Sequence, residues 1–121
     1  MLRVLQAGES GAVLLLEWGS FRALLPLGMD EAALAELLDD PTLTAVAALL
    51  LADGGSVALN PQEWIEKLNP QVVLLSPAPG GEPDAEVIQA LDGYNLLRTD
   101  RNGWIEITTD GDQLWVEVER R

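Results

Sequence analysis

Neither histidine nor cysteine occurs anywhere in the 121 residues. Together the two absences remove most metal and nucleophile chemistry. A zinc centre of the His/Cys type has no ligands to draw on. An iron–sulfur cluster, a disulfide, a cysteine nucleophile and a Ser-His-Asp triad go with it. The lack of cysteine suits either redox compartment and so leaves localisation open. Positive charge is also scarce, with seven Lys+Arg against 20 Asp+Glu and a net charge of −13. The cations are scattered, and only Arg98 with Arg101 and Arg120 with Arg121 lie near each other in sequence. A surface that grips phosphates needs a basic stripe, so direct nucleic-acid binding is not expected of this chain, and anionic lipid would be repelled. Long apolar runs are missing as well. The run 12–16 is closed by Glu17 and Arg22, and 44–52 falls far short of the ~20 residues a membrane helix requires. The N-terminus has no cationic start with a small-residue cleavage site. No spanning or targeting segment is expected.

What is present is a chain of 13.1 kDa with 48% apolar residues, the size and composition of one domain with a real core. Residues 2–5 and 12–17 read as strands around the turn signal Gly8-Glu9-Ser10-Gly11. Trp18-Gly19-Ser20 makes a second turn, and 21–25 is a third strand expected to stop at Pro26. The period then changes. Asp30 caps a helix with Leu34, Leu37 and Leu38 on one face, halted by Pro41. Residues 44–52 have the composition of a strand buried on both faces. Asn60, Pro61 and Glu63 read as cap, first position and capping-box acid of a second helix bearing Trp64, Ile65 and Leu68.

Residues 71–76 give another buried strand, followed by a Pro/Gly-rich loop over 77–83. Asp84 caps a third helix with Val87, Ile88 and Leu91, and Gly93 stands where a helix stop is expected. A strand over 94–98 and a closing hairpin over 104–108 and 114–118 complete the order, the hairpin having one wet face. Alternation in the middle predicts parallel pairing there with antiparallel edges. The fold class is therefore α/β, a mixed sheet in a single domain spanning 1–121.

Several segments, taken in order, resemble metallo-β-lactamase-fold domains. They are Ala12-Val13-Leu14-Leu15-Leu16-Glu17-Trp18-Gly19 with Phe21-Arg22-Ala23-Leu24-Leu25 and Gly28, then Ala48-Leu49-Leu50-Leu51-Ala52-Asp53-Gly54-Gly55-Ser56. The series continues with Glu66-Lys67-Leu68-Asn69-Pro70-Gln71-Val72-Val73-Leu74-Leu75-Ser76, Gly81-Glu82-Pro83-Asp84-Ala85-Glu86-Val87 and Arg98-Thr99-Asp100-Arg101-Asn102-Gly103. The last is similar to a segment near the end of these domains in ComEC-type DNA-internalisation proteins of competent bacteria. The resemblance implies the C-terminal half of an αββα sandwich, with helices on one face of its sheet, and a parent that is a bacterial membrane protein.

It also implies that the metal site is gone. The position of the bridging aspartate falls on Met29, the His-His pair on Asp53 and Gly54, and the last histidine on Glu82. The family's first metal motif belongs to an N-terminal half that this sequence does not contain. A thioether at position 29 does not replace a carboxylate on a hard or borderline cation. No catalytic residue, metal or cofactor is therefore expected, and the implied role is structural or binding. Half of a sandwich leaves a sheet face uncovered, which implies a homodimer or docking to the N-terminal half of the parent.

Rival readings remain open at this stage. Asp53, Glu82 and Asp30 form an oxygen-ligand set better suited to Ca²⁺ or Mg²⁺ than to zinc, or Asp53 is simply a turn residue after a buried strand. Asp53, Glu82 and Asp84 include carboxylate pairs of the kind used in acid–base catalysis, though 20 acids make chance pairs common. A metal-dependent phosphodiester hydrolase completed by the missing half is one alternative function, and an unrelated acidic interaction module is another. The loop 77–81 has no P-loop spacing. Trp18, Trp64, Trp104 and Trp115 serve as packing or as a stacking platform, with Trp104 and Trp115 expected to stay half-exposed. Arg98 and Arg101 are expected to pair with Asp100 or Asp110.

Overall fold

A computed structural model describes residues 2–8, 11–77 and 81–120. Six strands form one mixed sheet in chain order: β1 (Leu2–Gly8), β2 (Gly11–Trp18), β3 (Phe21–Leu27), β4 (Ala48–Leu50), β5 (Val72–Leu75) and β6 (Leu96–Arg98). The first three run antiparallel, and β3 to β6 are parallel. Between the parallel strands come α1 (Glu31–Leu38), α2 (Gln62–Leu68) and α3 (Ala85–Ala90). Three crossovers stepping in one direction with the usual right hand place their helices on one face. The packing agrees, since Leu34, Leu37, Trp64, Ile65, Leu68 and Val87 share a buried cluster with Val13, Leu15, Leu24, Leu49, Val73 and Leu75. The chain is thus α/β with a mixed sheet and helices on one face. Among the described residues no helix is long and apolar enough to cross a membrane.

The opposite face is covered differently. After β6 a single helical turn, α4 (Thr99–Asn102), and Gly103 at φ 72° redirect the chain into a hairpin, β7 (Ile105–Thr109) and β8 (Leu114–Val118). The hairpin is a separate two-stranded sheet rather than an antiparallel edge of the main one, which corrects the expectation of antiparallel strands at both edges. Its Ile107 and Leu114 pack on Phe21, Ala23, Ala47, Ala48 and Val72. Its tip is pinned through the Gly111 carbonyl, which accepts from the backbone N–H of Ser20 (2.6 Å) and Phe21 (3.2 Å) and from the Ser20 hydroxyl (2.7 Å). Both sides of this contact need glycine. Gly19 sits at φ 60°, and a Cβ there would come within 2.7 Å of the Gly111 oxygen.

Register shows what the hairpin lies on. Cross-strand partners share a face, so Leu2 and Val4 stand beside Leu16 and Leu14, and these beside Ala23 and Leu25. Followed across the sheet, every side chain on this face is apolar, from Leu2 to Leu97. The hairpin covers the β3 to β6 side. On the β1–β2 side Leu2 is 57% exposed, Val4 61%, Leu16 39%, Trp18 62% and, at the end of β3, Leu27 49%. A water-facing antiparallel sheet normally carries polar residues there.

Several boundaries differ from the sequence expectation. β1 extends to Gly8 across a bulge between Val4 and Gln6, while Glu9 and Ser10 of the first turn signal lie outside the described residues. Pro26 does not end β3. It pairs with Val13 within the strand, whose other neighbour, β4, begins its ladder lower down at Ala23 and Leu24, so no partner needs its missing N–H. The 44–52 run yields only three strand residues, because Ala45 adopts φ 53° and the chain turns helical again at Ala52. The sixth strand begins at Leu96 rather than at residue 94. Asn60 does not cap α2, whose N-cap is Pro61 without a side-chain bond, and Asp84 stands at the N-cap of α3 without one either. Both side chains are used elsewhere.

Candidate functional site

At the end of β4 the chain makes a tight turn in which Asp53, Gly54 and Gly55 all have positive φ (48°, 61° and 93°). Two side chains hold it. Asn60, 1% exposed, accepts from the Ala52 N–H through Oδ1 (3.0 Å) and donates through Nδ2 to the carbonyls of Ala52 (2.9 Å) and Ser56 (2.8 Å). Asp84 accepts from the Val57 N–H (2.7 Å), and its own N–H donates to the Gly55 carbonyl (3.2 Å). Gly55 also has no room for a side chain, since a Cβ would meet Pro83 at 2.9 Å. The β4 turn and the segment before α3 are thereby sewn together. Asp53, Gly54, Ser76, Pro77, Gly81 and Glu82 line one open cleft of about 280 Å³.

Three of the four positions singled out in the sequence, Asp53, Gly54 and Glu82, therefore share a cleft. Met29 does not join them. It is buried in the helix-side core and borders a different hollow of about 170 Å³ together with Gly11, Val13, Gly28 and Asp30. Asp30 is engaged as the α1 cap, its Oδ1 accepting from the Ala33 N–H (2.8 Å), so the set Asp53, Glu82 and Asp30 is not assembled. Asp53 and Glu82 are both exposed. Among the described residues no group of three or more acids is placed to hold a metal ion. Two solvated carboxylates fall short of the six to eight oxygens of a Ca²⁺ site, and no nitrogen or sulfur ligand is present for zinc. The residues of the cleft do not fit a divalent metal. As an acid–base set the cleft is equally bare, because Asp84 is committed to the Val57 amide and Asp53 and Glu82 face water. The 78–80 part of the Pro/Gly-rich loop lies outside the described residues.

Arg98 ends β6 beside this cleft. It is nearly buried and forks onto Asp100, with Nε to Oδ1 at 3.0 Å and Nη2 to Oδ2 at 2.7 Å. The paired hydrogen bonds raise the guanidinium pKa and hold the Asp100 carboxyl below its ordinary range, and Glu82 adds to the field at Arg98. Asp100 is thus the partner of Arg98. Asp110 instead closes the hairpin turn by accepting from the N–H groups of Asp112 (2.9 Å) and Gln113 (2.8 Å), which lowers its pKa.

Trp64 is wholly buried, whereas Trp18, Trp104 and Trp115 are about half-exposed. Trp104 and Trp115 stand at opposite ends of the outer hairpin face, and between them Glu106 pairs directly with Glu117. Two facing carboxylates make that face unsuitable for stacking a phosphate-bearing chain.

One feature escapes a reading by sequence pattern. The structural role of Asn60 is masked by its place before Pro61, where a cap is the ordinary expectation. The open sheet face has a visible signal, since Leu14, Leu16 and Trp18 alternate with equally apolar Val13 and Leu15, and Glu17, on the side of Val13 and Leu15, is the one polar residue of β2. Comparison with protein-family models, with curated proteins and with solved structures finds no match. Among the described residues the arrangement has an exposed apolar sheet face and no group of three or more acids placed to hold a metal ion.

Proposed function

We propose that the chain is a non-catalytic structural and binding domain that docks through the open side of its six-stranded sheet. The observation that carries this reading is the sheet face itself, apolar at every position and uncovered over β1 and β2. Its five open residues are each 39–62% exposed and lie on one apolar face, and contiguous exposed apolar patches mark interaction surfaces more often than idle ones. The series of motifs resembling the metallo-β-lactamase fold supports a finer version. In it the domain is the C-terminal half of such a fold within a ComEC-like DNA-uptake protein, its metal site lost, and its partner is a second apolar β-layer. The replacement of the family's ligand positions by Met29, Asp53, Gly54 and Glu82 favours a pseudoenzyme over a hydrolase.

The test has two readouts. Purified protein incubated with Zn²⁺, Mn²⁺ or Mg²⁺ and desalted should retain no stoichiometric metal by mass spectrometry and should not cleave a phosphodiester. In solution dilute enough to keep the chain monomeric, an apolar dye should bind the wild-type sheet face and lose its signal on Val4→Glu. Stoichiometric metal with phosphodiester cleavage would revive the hydrolase. Dye binding that ignores Val4→Glu would remove the docking face.

A further inference from the structure

We propose that the open side of the sheet is covered by a second copy of this chain, in a two-fold arrangement where each hairpin extends the partner's sheet beside β1. The proposal rests on the docking reading above and names its occupant. Stacked sheets lie ~10 Å apart, so the β7–β8 hairpin already occupies the layer that a second sheet would fill. It fills only the β3 to β6 side of that layer. A second six-stranded sheet set over β1 and β2 takes the vacant side and lies level with the first copy's hairpin. Two-fold symmetry then places the second copy's hairpin level with the first copy's sheet, next to its outer strand.

That outer strand is ready for it. β1 is the end of the sheet order and offers one unpaired edge along Leu2–Gly8, and the hairpin is a two-stranded sheet with free edges of its own. The assembly turns two incomplete layers into two continuous ones and leaves neither apolar face in water. Charge permits this contact. A chain at −13 repels its copies where acids face acids, but the strand residues of the open face carry no charged side chain, so this face can meet itself without opposing like charges. The five open residues, joined by half-buried Leu14, Leu25 and Leu50 and by the new edge pairing along β1, supply the apolar centre and one edge of an interface, which in a stable dimer covers ~800 Å² per partner.

Sedimentation of the chain at roughly 10 µM should give a particle of twice 13.1 kDa. Leu16→Glu, at a position already part-exposed, should keep its far-ultraviolet spectrum and weaken the dimer at least tenfold. Hydrogen exchange of the β1 amides should slow as wild-type concentration rises and should not do so in Leu16→Glu. A dimer that ignores Leu16→Glu, or one that leaves β1 exchange unchanged, would overturn the arrangement. A monomer whose open face still binds an apolar dye overturns the second copy as occupant while the docking reading stands. A monomer that binds no dye overturns both.

Discussion

Replacing Asn60 with leucine keeps the branched four-heavy-atom side-chain skeleton at a fully buried position and deletes three hydrogen bonds. The consequences for the three backbone partners are unequal. The Ala52 carbonyl retains the Gly55 N–H as a donor (3.0 Å), so it is not orphaned. The Ala52 N–H and the Ser56 carbonyl lose the partner that Asn60 supplied. The buried Ala52 N–H left without a partner costs about 1–3 kcal/mol, and the other two lost bonds, one of them to the part-buried Ser56 carbonyl, about 1 kcal/mol each, so Asn60→Leu should destabilise the domain by about 3–5 kcal/mol. A domain of this size has a total stability of roughly 5–15 kcal/mol, and the melting temperature should fall by about 10–15 °C. Thermal unfolding followed by circular dichroism measures it. Asn60→Asp refines the test. The aspartate keeps an acceptor for the Ala52 N–H but turns a second carboxylate oxygen toward two carbonyls, which raises its folded pKa. The folded state then binds more protons than the unfolded one, so this variant gains stability relative to wild type as pH falls. A melting temperature for Asn60→Leu within ~3 °C of wild type would refute the reasoning, because no buried network could then be holding the β4 turn.

Gly19→Ala forces a Cβ against the Gly111 carbonyl at a positive φ and should cost about 1–3 kcal/mol in urea unfolding, with the hairpin amides exchanging first. Trp64→Ala should cost about 3–5 kcal/mol, since its ring is central to the helix-side core. Trp64→Phe should cost under ~1.5 kcal/mol by the same assay, because the indole Nε1 is buried without a hydrogen-bond partner among the described residues. Asp40, Asp100 and Asp110 all have pKa values held below 3.8, Asp40 chiefly by the Thr42 hydroxyl and N–H, Asp100 by Arg98 and Asp110 by backbone amides. Depressed folded values mean that the unfolded state binds more protons, so their contribution is complete above 3.8 and lost as pH falls through the lower folded values. Urea midpoints measured from pH 6 down to about 2.5 should decline only at the acid end.

Much of the architecture is legible because its signals are local and periodic. The Leu34, Leu37 stripe, the Asp30 cap and the Val72–Leu75 strand each follow from a few neighbouring residues, and the order of strands and helices follows from their sequence. The 44–52 run misleads because apolar composition does not report Ala45, whose positive φ interrupts the extended chain before β4. Asn60 misleads for a related reason. Its local place before Pro61 suggests a cap, while its actual partners at Ala52 and Ser56 depend on the turn closing over it. The position of the hairpin above the sheet, rather than at its edge, depends on contacts across some ninety residues and has no local signature. The cleft is half legible. Asp53 and Glu82 line one cleft, but Met29 is a core residue, and the removal of Asp30 from the set requires the α1 cap to be seen.

The bond between the hairpin tip and the β2–β3 turn spans 91 positions of sequence. On a ribosome the three N-terminal strands emerge long before the residues that cover their sheet, and the face from Phe21 to Val72 must wait in water until the hairpin arrives. Contacts of such high sequence separation slow folding, and the waiting face is an aggregation hazard for a nascent chain. Truncation between α3 and the hairpin would make that exposure permanent. The arrival of β7 and β8 is therefore the step on which burial of this face during synthesis depends.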